Sequence, residues 1–190
     1  LTRRRFNKGN IVEEVTEEPL ETKEPLEVDT GIVKPEYRGQ DVYEQAISKL
    51  AENEDDAALL REYAFVESKF ATDPTTFRKD NRSAYQITPI RFQDFTNALK
   101  PEADTGSGLR RYVDKVQDQH GIDLRSITYD DLNDPEVATA VTRALIKLIP
   151  GPIGKTPEER AVGWKTSWNS SLGAGSVARY LEDMPFLYKD

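Results

Sequence analysis

The sequence predicts a mostly α-helical domain that follows an extended arm. Apolar residues recur at helical spacing in several segments after residue 40, and proline, glycine or polar caps flank these segments. No region has the alternation of apolar and polar residues that indicates a series of β-strands. We therefore assign residues 1–40 to an acidic arm or linker and residues 41–190 to one helical domain.

Composition excludes several classes of function. The formal net charge of −8 argues against nucleic acid as a partner, because binding phosphates requires a basic face. No apolar run approaches the roughly 20 residues that span a bilayer, and no apolar segment follows the basic residues near the start. We therefore expect neither a membrane span nor a secretory signal. With no cysteine and one histidine, we expect no disulfide, no zinc site and no cofactor.

The arm is rich in charge and proline. Residues 11–29 are strongly acidic, and Pro19, Pro25 and Pro35 interrupt any continuous helix. Such a run is typical of a solvated linker. The alternative is a docking arm, whose apolar residues would become ordered only in a groove on a neighbouring protein.

The predicted helices follow one another along the domain. The first covers residues 41–50, with Asp41 as its N-cap. The second covers residues 56–70, and a polar loop over 72–82 and a turn or short strand over 84–87 follow it. Further helices are predicted over residues 89–99, 109–120, 135–148, 157–168 and 176–182.

Two of these helices have specific end signals. Thr156, Pro157 and Glu159 have the spacing of a capping box with proline at the first helical position. Gly121 follows His120 directly, which is typical of a helix C-terminus. We interpret His120 as a structural residue at that helix end rather than as a catalytic base.

A carboxylate stands in the apolar ridge of the second helix. Glu67 falls in line with Leu60 and Ala64 at helical spacing, close to the negative end of the helix dipole. Scarce water and the dipole both disfavour the charged form, so we expect a raised pKa. A carboxylic acid that is protonated near neutral pH can act as a proton donor, which makes Glu67 the candidate catalytic acid. The alternative is a surface glutamate at a frayed helix end.

Two nucleotide-binding motifs are only partly present. Residues 151–156 resemble the end of a phosphate-binding loop, but Ile149 stands where that loop requires glycine and no strand precedes it. Gly106 and Gly108 lack the third glycine and the βαβ context of a dinucleotide site. We therefore predict no nucleotide site.

Three segments in chain order carry a family resemblance. They are the Glu67-Ser68 pair at a helix end, the turn over residues 83–89 and the segment over residues 167–181. Together they resemble the lytic transglycosylases of the lysozyme superfamily, including those carried by bacteriophages. The resemblance covers roughly residues 58–182. It implies a lysozyme-like helical domain of the goose-type or soluble lytic transglycosylase kind.

The first two segments would supply four site residues. By resemblance, Glu67 is the catalytic acid and base. Ser68 is similar to the family serine that hydrogen-bonds near the scissile sugar. Tyr85 and Gln86 match the Met-Gln pair whose backbone and amide groups shape the sugar subsites. On their own chemistry, Tyr85 and Gln86 could equally be a core and a turn residue.

The third segment departs from the family pattern. Asn169 matches the family asparagine, but Trp168 stands where the family usually has the tyrosine whose hydroxyl contacts the catalytic glutamate. An indole N–H donates a hydrogen bond and accepts none. Ser83 replaces the usual glycine before the turn, and two extra residues separate Asn169 from the glycines. We expect Gly173 and Gly175 to be close-packing points between a loop and a helix.

The resemblance implies cleavage of the β-1,4 link between N-acetylmuramic acid and N-acetylglucosamine in peptidoglycan. The product would be a 1,6-anhydro sugar, because the muramic acid supplies its own nucleophile. The first alternative is lysozyme-type hydrolysis, for which Asp73 or Asp80 would have to act as the second carboxylate.

The second alternative is a virion structural protein that retains the fold. In either case we expect a phage particle as the location. The enzyme would act on peptidoglycan strands in the bacterial periplasm or wall, and residues 1–40 would contact neighbouring virion proteins.

Overall fold

The computed structural model describes residues 33–76, 81–169 and 173–189, which contain seven α-helices and no β-strand. The mostly helical class predicted from the sequence is therefore confirmed. The helices are α1 (Gln40–Leu50), α2 (Glu54–Ser68), α3 (Pro89–Ala98), α4 (Gly106–His120), α5 (Pro135–Ile146), α6 (Pro157–Gly163) and α7 (Val177–Leu187).

Side-chain caps define several of the helix starts. The Asp134 carboxylate accepts from two backbone amides of the first turn of α5, at 2.8 and 3.1 Å. The predicted capping box of α6 is present, with Thr156 and Glu159 each accepting from the other's backbone N–H. The prediction for Asp41 was wrong, because the N-cap position is Gly39, two residues earlier, and Asp41 lies in the first turn of α1. His120 is the last residue of α4, and Gly121 follows in the left-handed conformation that was expected there.

The core is built around α5. This helix packs against α1, α2, α3 and α4, and its small buried residues let the neighbours approach closely. Helices α6 and α7 pack against each other on the other side of α2, which also contacts α7. Consequently α2 lies between the two groups of helices and has packed neighbours on more than one face.

The packed structure begins before the predicted boundary near residue 40. Val33 is buried in the core, and its carbonyl accepts from the Arg38 side chain. The amide of Gly39 donates to the carbonyl of Phe70 at 2.9 Å, which ties the start of α1 to the end of α2. Residues 1–32, on which the linker and docking-arm interpretations depend, lie outside the described residues.

A buried ion pair joins α2 to α5. The Nε of Arg143 donates to the fully buried carboxylate of Asp56 at 2.6 Å, and its Nη2 donates to Glu52 at 2.9 Å. By contrast, Lys49 on α1 pairs with Glu136 on α5 at the surface, with half of the lysine side chain exposed. Both pairs link α5 to a neighbour, but only the first removes a charge from water.

None of the helices in the described parts of the chain is both long and apolar enough to cross a bilayer.

The two ion pairs predict different mutational costs. Arg143→Met leaves the Asp56 carboxylate buried without its cation, so we expect the free energy of unfolding to fall by about 3–5 kcal/mol. Lys49→Met removes an exposed pair and should cost less than about 1 kcal/mol. Urea denaturation of both variants at pH 7 measures the difference. Equal losses in the two variants would contradict the assignment of Arg143 as the buried partner.

Candidate active site

The carboxyl group of Glu67 is hydrogen-bonded to a tryptophan side chain. Glu67 is the penultimate residue of α2, and its Oε1 accepts a hydrogen bond from the indole Nε1 of Trp164 at 2.7 Å. The Trp164 side chain is buried, while Glu67 keeps a small accessible fraction. The carboxyl group thus lies at the edge of the core, with one oxygen bonded inward.

Burial dominates the electrostatics of Glu67. Loss of hydration raises the pKa of its carboxyl group to about 7, although the Trp164 hydrogen bond and the nearby Arg91 cation both act to lower it. The charge of Arg91 is itself partly removed from water, and burial lowers its pKa. Near neutral pH a large fraction of Glu67 is therefore protonated, which is the state a general acid requires.

Arg91 is the functional candidate that sequence reasoning missed. It lies in the first turn of α3, and its guanidinium group stacks 4.4 Å from the Trp168 ring centroid. It also donates to the backbone carbonyls of Ser167 and Trp168. In the sequence, the predicted helix start at residue 89 places Arg91 in the first helical turn. It does not indicate that Arg91 would contact Trp168.

The indole that contacts Glu67 is not the predicted one. Trp168 packs against Tyr63, with ring centroids 5.5 Å apart, and carries the Arg91 stack on its ring. Trp164 instead makes the hydrogen bond to Glu67. Because the two tryptophans are four residues apart on a helical segment, both face inward, and the sequence could not distinguish which one would reach the acid.

A wide helical turn carries both tryptophans. After α6 the chain forms a π-helical turn over Trp164–Trp168, in which the amide of Asn169 donates to the carbonyl of Trp164 at 2.7 Å. Such turns are rare and occur frequently at functional sites. The turn places Trp164 and Trp168 on the buried side of the segment and ends at Asn169.

Asn169, Gly173 and Gly175 pack closely together next to the Trp164 ring. The Asn169 Oδ1 accepts from the Lys165 ammonium at 3.1 Å, and the same ammonium donates to the carbonyl of Gly173 at 2.8 Å. A Cβ at Gly175 would collide with the Trp164 ring, and one at Gly173 would collide with Asn169. The predicted role of these glycines as close-packing points is confirmed.

The resemblance implied that the Ser68 hydroxyl would bond near a sugar, but in the structure it faces inward. Its side chain is fully buried; the hydroxyl donates to the carbonyl of Ala84 at 2.8 Å and accepts from the amide of Ala71 at 2.9 Å. Since both partners are backbone groups, Ser68 joins the end of α2 to the turn over residues 83–87. We therefore correct its assignment from a sugar contact to a positioning residue.

Left-handed backbone conformations are concentrated around this end of α2. The consecutive residues Lys69, Phe70 and Ala71 have φ of 52°, 58° and 62°, and Ser83 and Gln86 have φ of 63° and 52°. Each non-glycine residue in this region costs about 1–3 kcal/mol and persists only where the surroundings enforce it. Strain is therefore stored beside Glu67. The conformation of Ser83 also explains why a glycine would suit its position.

Tyr85 is a core residue rather than a cleft residue. Its ring is completely buried, 5.7 Å from that of Tyr43, and its hydroxyl shares a hydrogen bond with Thr139. A side-chain contact with sugar is excluded in this conformation. Of the two interpretations of Tyr85 that the sequence allowed, a core residue or a sugar-subsite residue, the structure supports the core residue.

Gln86 is a turn residue in this structure. Its amide donates to the carbonyl of Ser83 and accepts from Asn81, which holds the turn closed beside the Arg82–Ile87 bridge. Because the side chain is nearly buried, at 7% exposure, little of the amide faces outward. The turn over residues 83–87 does, however, meet the end of α2 through Ser68.

The three segments that carry the resemblance converge. The first contacts the second through the Ser68 bond to Ala84, and it contacts the helix leading into the third through the Glu67 bond to Trp164. Arg91, just after the second segment, contacts Trp168 in the third. Residues up to 97 positions apart in sequence are thus brought to one end of α2.

Neither candidate for a second carboxylate is seen to face Glu67. Asp73 uses its carboxylate to accept from the amide and hydroxyl of Thr75, at 3.0 and 2.6 Å. Asp80 lies outside the described residues. Among the residues that the structure describes, no group of three or more acidic, histidine or cysteine side chains could hold a metal ion.

A groove of about 800 Å³ lies along the earlier turns of α2. Its lining includes Tyr63, one helical turn before Glu67, and Gly163, directly before Trp164, but not Glu67 or Trp164 themselves. The groove continues past the loop over residues 149–155 to Asp55 at the start of α2. Its volume is in the range of pockets that bind small ligands.

Comparison of the chain with protein-family models, with curated proteins and with solved structures found no match in any of the three.

The raised pKa of Glu67 predicts a pH-dependent stability. Below pH 4.5 the group is protonated in the folded and unfolded states, so it contributes no difference. Between about pH 4.5 and 7 the unfolded chain releases this proton first, and the folded state loses stability. Glu67→Gln should therefore be more stable than wild type by about 3 kcal/mol at pH 8 and no different at pH 4.

Chemical denaturation at the two pH values tests this prediction. Glu182→Gln, which changes an exposed glutamate on α7, is the matched control and should not alter the pH dependence. If Glu67→Gln and Glu182→Gln behave alike at pH 8, the Glu67 carboxyl group is not desolvated.

Proposed function

We propose that this chain is a peptidoglycan lytic transglycosylase of the lysozyme-like kind, with Glu67 as catalytic acid and base. The observation that carries the proposal is the Glu67 carboxyl group itself, which is desolvated, has a pKa raised to about 7 and, among the described residues, accepts one hydrogen bond, from an indole. The convergence of the three sequence segments at the same helix end supports it.

The hydrogen bond to Trp164 assigns the roles of the two carboxyl oxygens. An indole N–H only donates, and the carbonyl oxygen of a protonated carboxyl group is its better acceptor, so the proposal places the acidic proton on Oε2, away from Trp164. This proton passes to the glycosidic oxygen as the bond from that oxygen to the muramic anomeric carbon breaks. The carboxylate so formed is stabilised by Trp164 and by the Arg91 cation.

The same carboxylate then acts as a base. It takes the proton of the muramic 6-hydroxyl as that oxygen attacks the anomeric carbon, which closes the 1,6-anhydro ring and regenerates the acid. No water is consumed, so one carboxyl group is sufficient, unlike the two of most glycosidases. The groove along α2 is lined by Tyr63, one turn from Glu67, but not by Glu67 itself, so it is proposed as a flanking subsite for the glycan strand.

Replacement of the acid tests the activity. Glu67→Gln keeps an acceptor for Trp164 but has no proton to give, so we expect wall cleavage to fall by about 10²–10⁴-fold. A zymogram with purified peptidoglycan measures it, and Glu182→Gln should clear the wall like wild type. Absence of clearing by wild type as well would favour the alternative of a virion structural protein.

The mass of the products separates transglycosylation from hydrolysis. The intramolecular reaction leaves 1,6-anhydromuramic ends, whereas lysozyme-type hydrolysis adds one water to each cleaved bond. We expect mass spectrometry of the digest to find anhydro ends. Products with only reducing muramic ends would instead indicate a second carboxylate, with Asp73→Asn as the next variant to examine.

The pH profile of kcat/KM should have a descending limb near pH 7. Activity requires protonated Glu67, so it should fall about tenfold per unit above that midpoint. Arg91→Gln removes the cation that stabilises the carboxylate and should move the midpoint up by about 0.5–1 unit. Arg91→Lys keeps the charge and should move it less. A midpoint that is the same in all three proteins would contradict the role of Arg91.

A location in the phage particle is part of this proposal. It rests on the resemblance to the phage-borne members of the family. Detection of the chain in purified particles by mass spectrometry tests it, and its absence from them would overturn the location without affecting the proposed chemistry.

A further inference from the structure

A second glutamate on α2 is buried more completely than Glu67. Glu62 has no exposed surface, and its two oxygens accept four hydrogen bonds. Arg160 of α6 donates to both oxygens, at 2.8 and 2.6 Å. The hydroxyl of Tyr180 on α7 donates to Oε2 at 2.8 Å, and that of Tyr188, just after α7, donates to Oε1 at 2.7 Å. The proposed reaction gives Glu62 no role.

The partners of Glu62 are also the supports of Trp164. Arg160 precedes Trp164 by one helical turn and lies on α6, the helix that leads directly into the π-helical segment. The ring of Tyr180 packs on the Trp164 indole with centroids 5.4 Å apart. One buried carboxylate therefore fixes two of the groups that determine where the indole N–H points. Gly175 lies against the edge of the Trp164 indole, so close that a Cβ there would collide with the ring.

We propose that Glu62 is a positioning residue whose buried carboxylate holds the Trp164 indole against Glu67 through Arg160 and Tyr180. The contacts run from Glu62 to the Tyr180 hydroxyl, from the Tyr180 ring to Trp164, and from the Trp164 N–H to Glu67. The catalytic consequence of this positioning rests on the proposed function, but the positioning itself does not.

Two tyrosines offer a matched comparison. Tyr180→Phe and Tyr188→Phe each remove one hydroxyl donor from Glu62, but only Tyr180 touches Trp164. A structural role alone would make the two variants equivalent apart from local stability. A positioning role makes only Tyr180→Phe change the surroundings of the indole N–H.

The indole N–H of Trp164 provides a readout that does not need activity. Its proton resonance should titrate with Glu67, and Trp168→Phe assigns it because the chain has only two tryptophans. Glu67→Gln should abolish the titration. Arg91 from α3 and Tyr63 from α2 also face Glu67. Arg160, Tyr180 and Tyr188 face Glu62. Each variant therefore changes only the one residue that it tests and keeps all the other groups.

The expected result is a shift that only Tyr180→Phe produces. A less firmly held indole stabilises the Glu67 carboxylate less, so the titration midpoint should rise by roughly 0.5 unit in Tyr180→Phe. It should stay at the wild-type value in Tyr188→Phe. Equal midpoints in the two variants, or a wild-type indole that does not titrate, would overturn the proposal. Thermal unfolding of both variants checks that their folds are retained.

Two further measurements keep the outcomes separable. If Tyr180→Phe does not fold, Arg160→Lys carries the same test, since it keeps a cation beside Glu62 but loses the two-pronged contact that orients α6. With active enzyme, the descending limb of kcat/KM should move with the indole midpoint while KM changes little. If wild type cleaves no wall, the proposed function fails, and the indole titration still decides the positioning.

Discussion

The candidate site is organised by one hydrogen bond between groups 97 residues apart, from the Trp164 indole to the Glu67 carboxyl group. Desolvation of a carboxyl group favours its neutral form, and a single neutral donor does not reverse that preference. The nearby Arg91 cation offsets a further, smaller part of the cost. What results is a group held between its two protonation states near neutral pH, which is useful for moving protons and unfavourable for stability.

Two glutamates on α2 have opposite hydrogen-bonding surroundings. Glu62 and Glu67 are five residues apart, so their side chains project roughly 140° apart around α2. One faces α6 and α7 and is given four donors, including a guanidinium group; the other is given one indole N–H. The first arrangement compensates a buried charge with four donors, whereas the second offsets the desolvation of Glu67 only in part. Because α2 has packed neighbours on both faces, the same helix can carry a structural and a reactive carboxyl group.

The local part of this architecture was predictable from the sequence and the long-range part was not. Helical spacing identified α2 and placed Glu67 in its apolar ridge, and cap chemistry identified the start of α6. Nothing near Glu62 in the sequence indicated Arg160, which lies 98 positions away. The choice between Trp164 and Trp168 likewise depended on a π-helical turn, and no residue pattern in that segment distinguished it from an α-helix.

Ser68 bridges a strained reversal of the chain directly after Glu67. The chain must leave α2 sharply enough to keep Glu67 at an edge, and it does so through three consecutive left-handed residues that are not glycine. The Ser68 hydroxyl holds this reversal by bonding the amide of Ala71, and it reaches the neighbouring turn through Ala84. Burial of Phe70 and Ala71 opposes release of the strain. A Glu-Ser pair at a helix end can therefore join a desolvated carboxyl group to a hydroxyl that fixes the backbone after it, with both hydrogen bonds of that hydroxyl made to backbone groups.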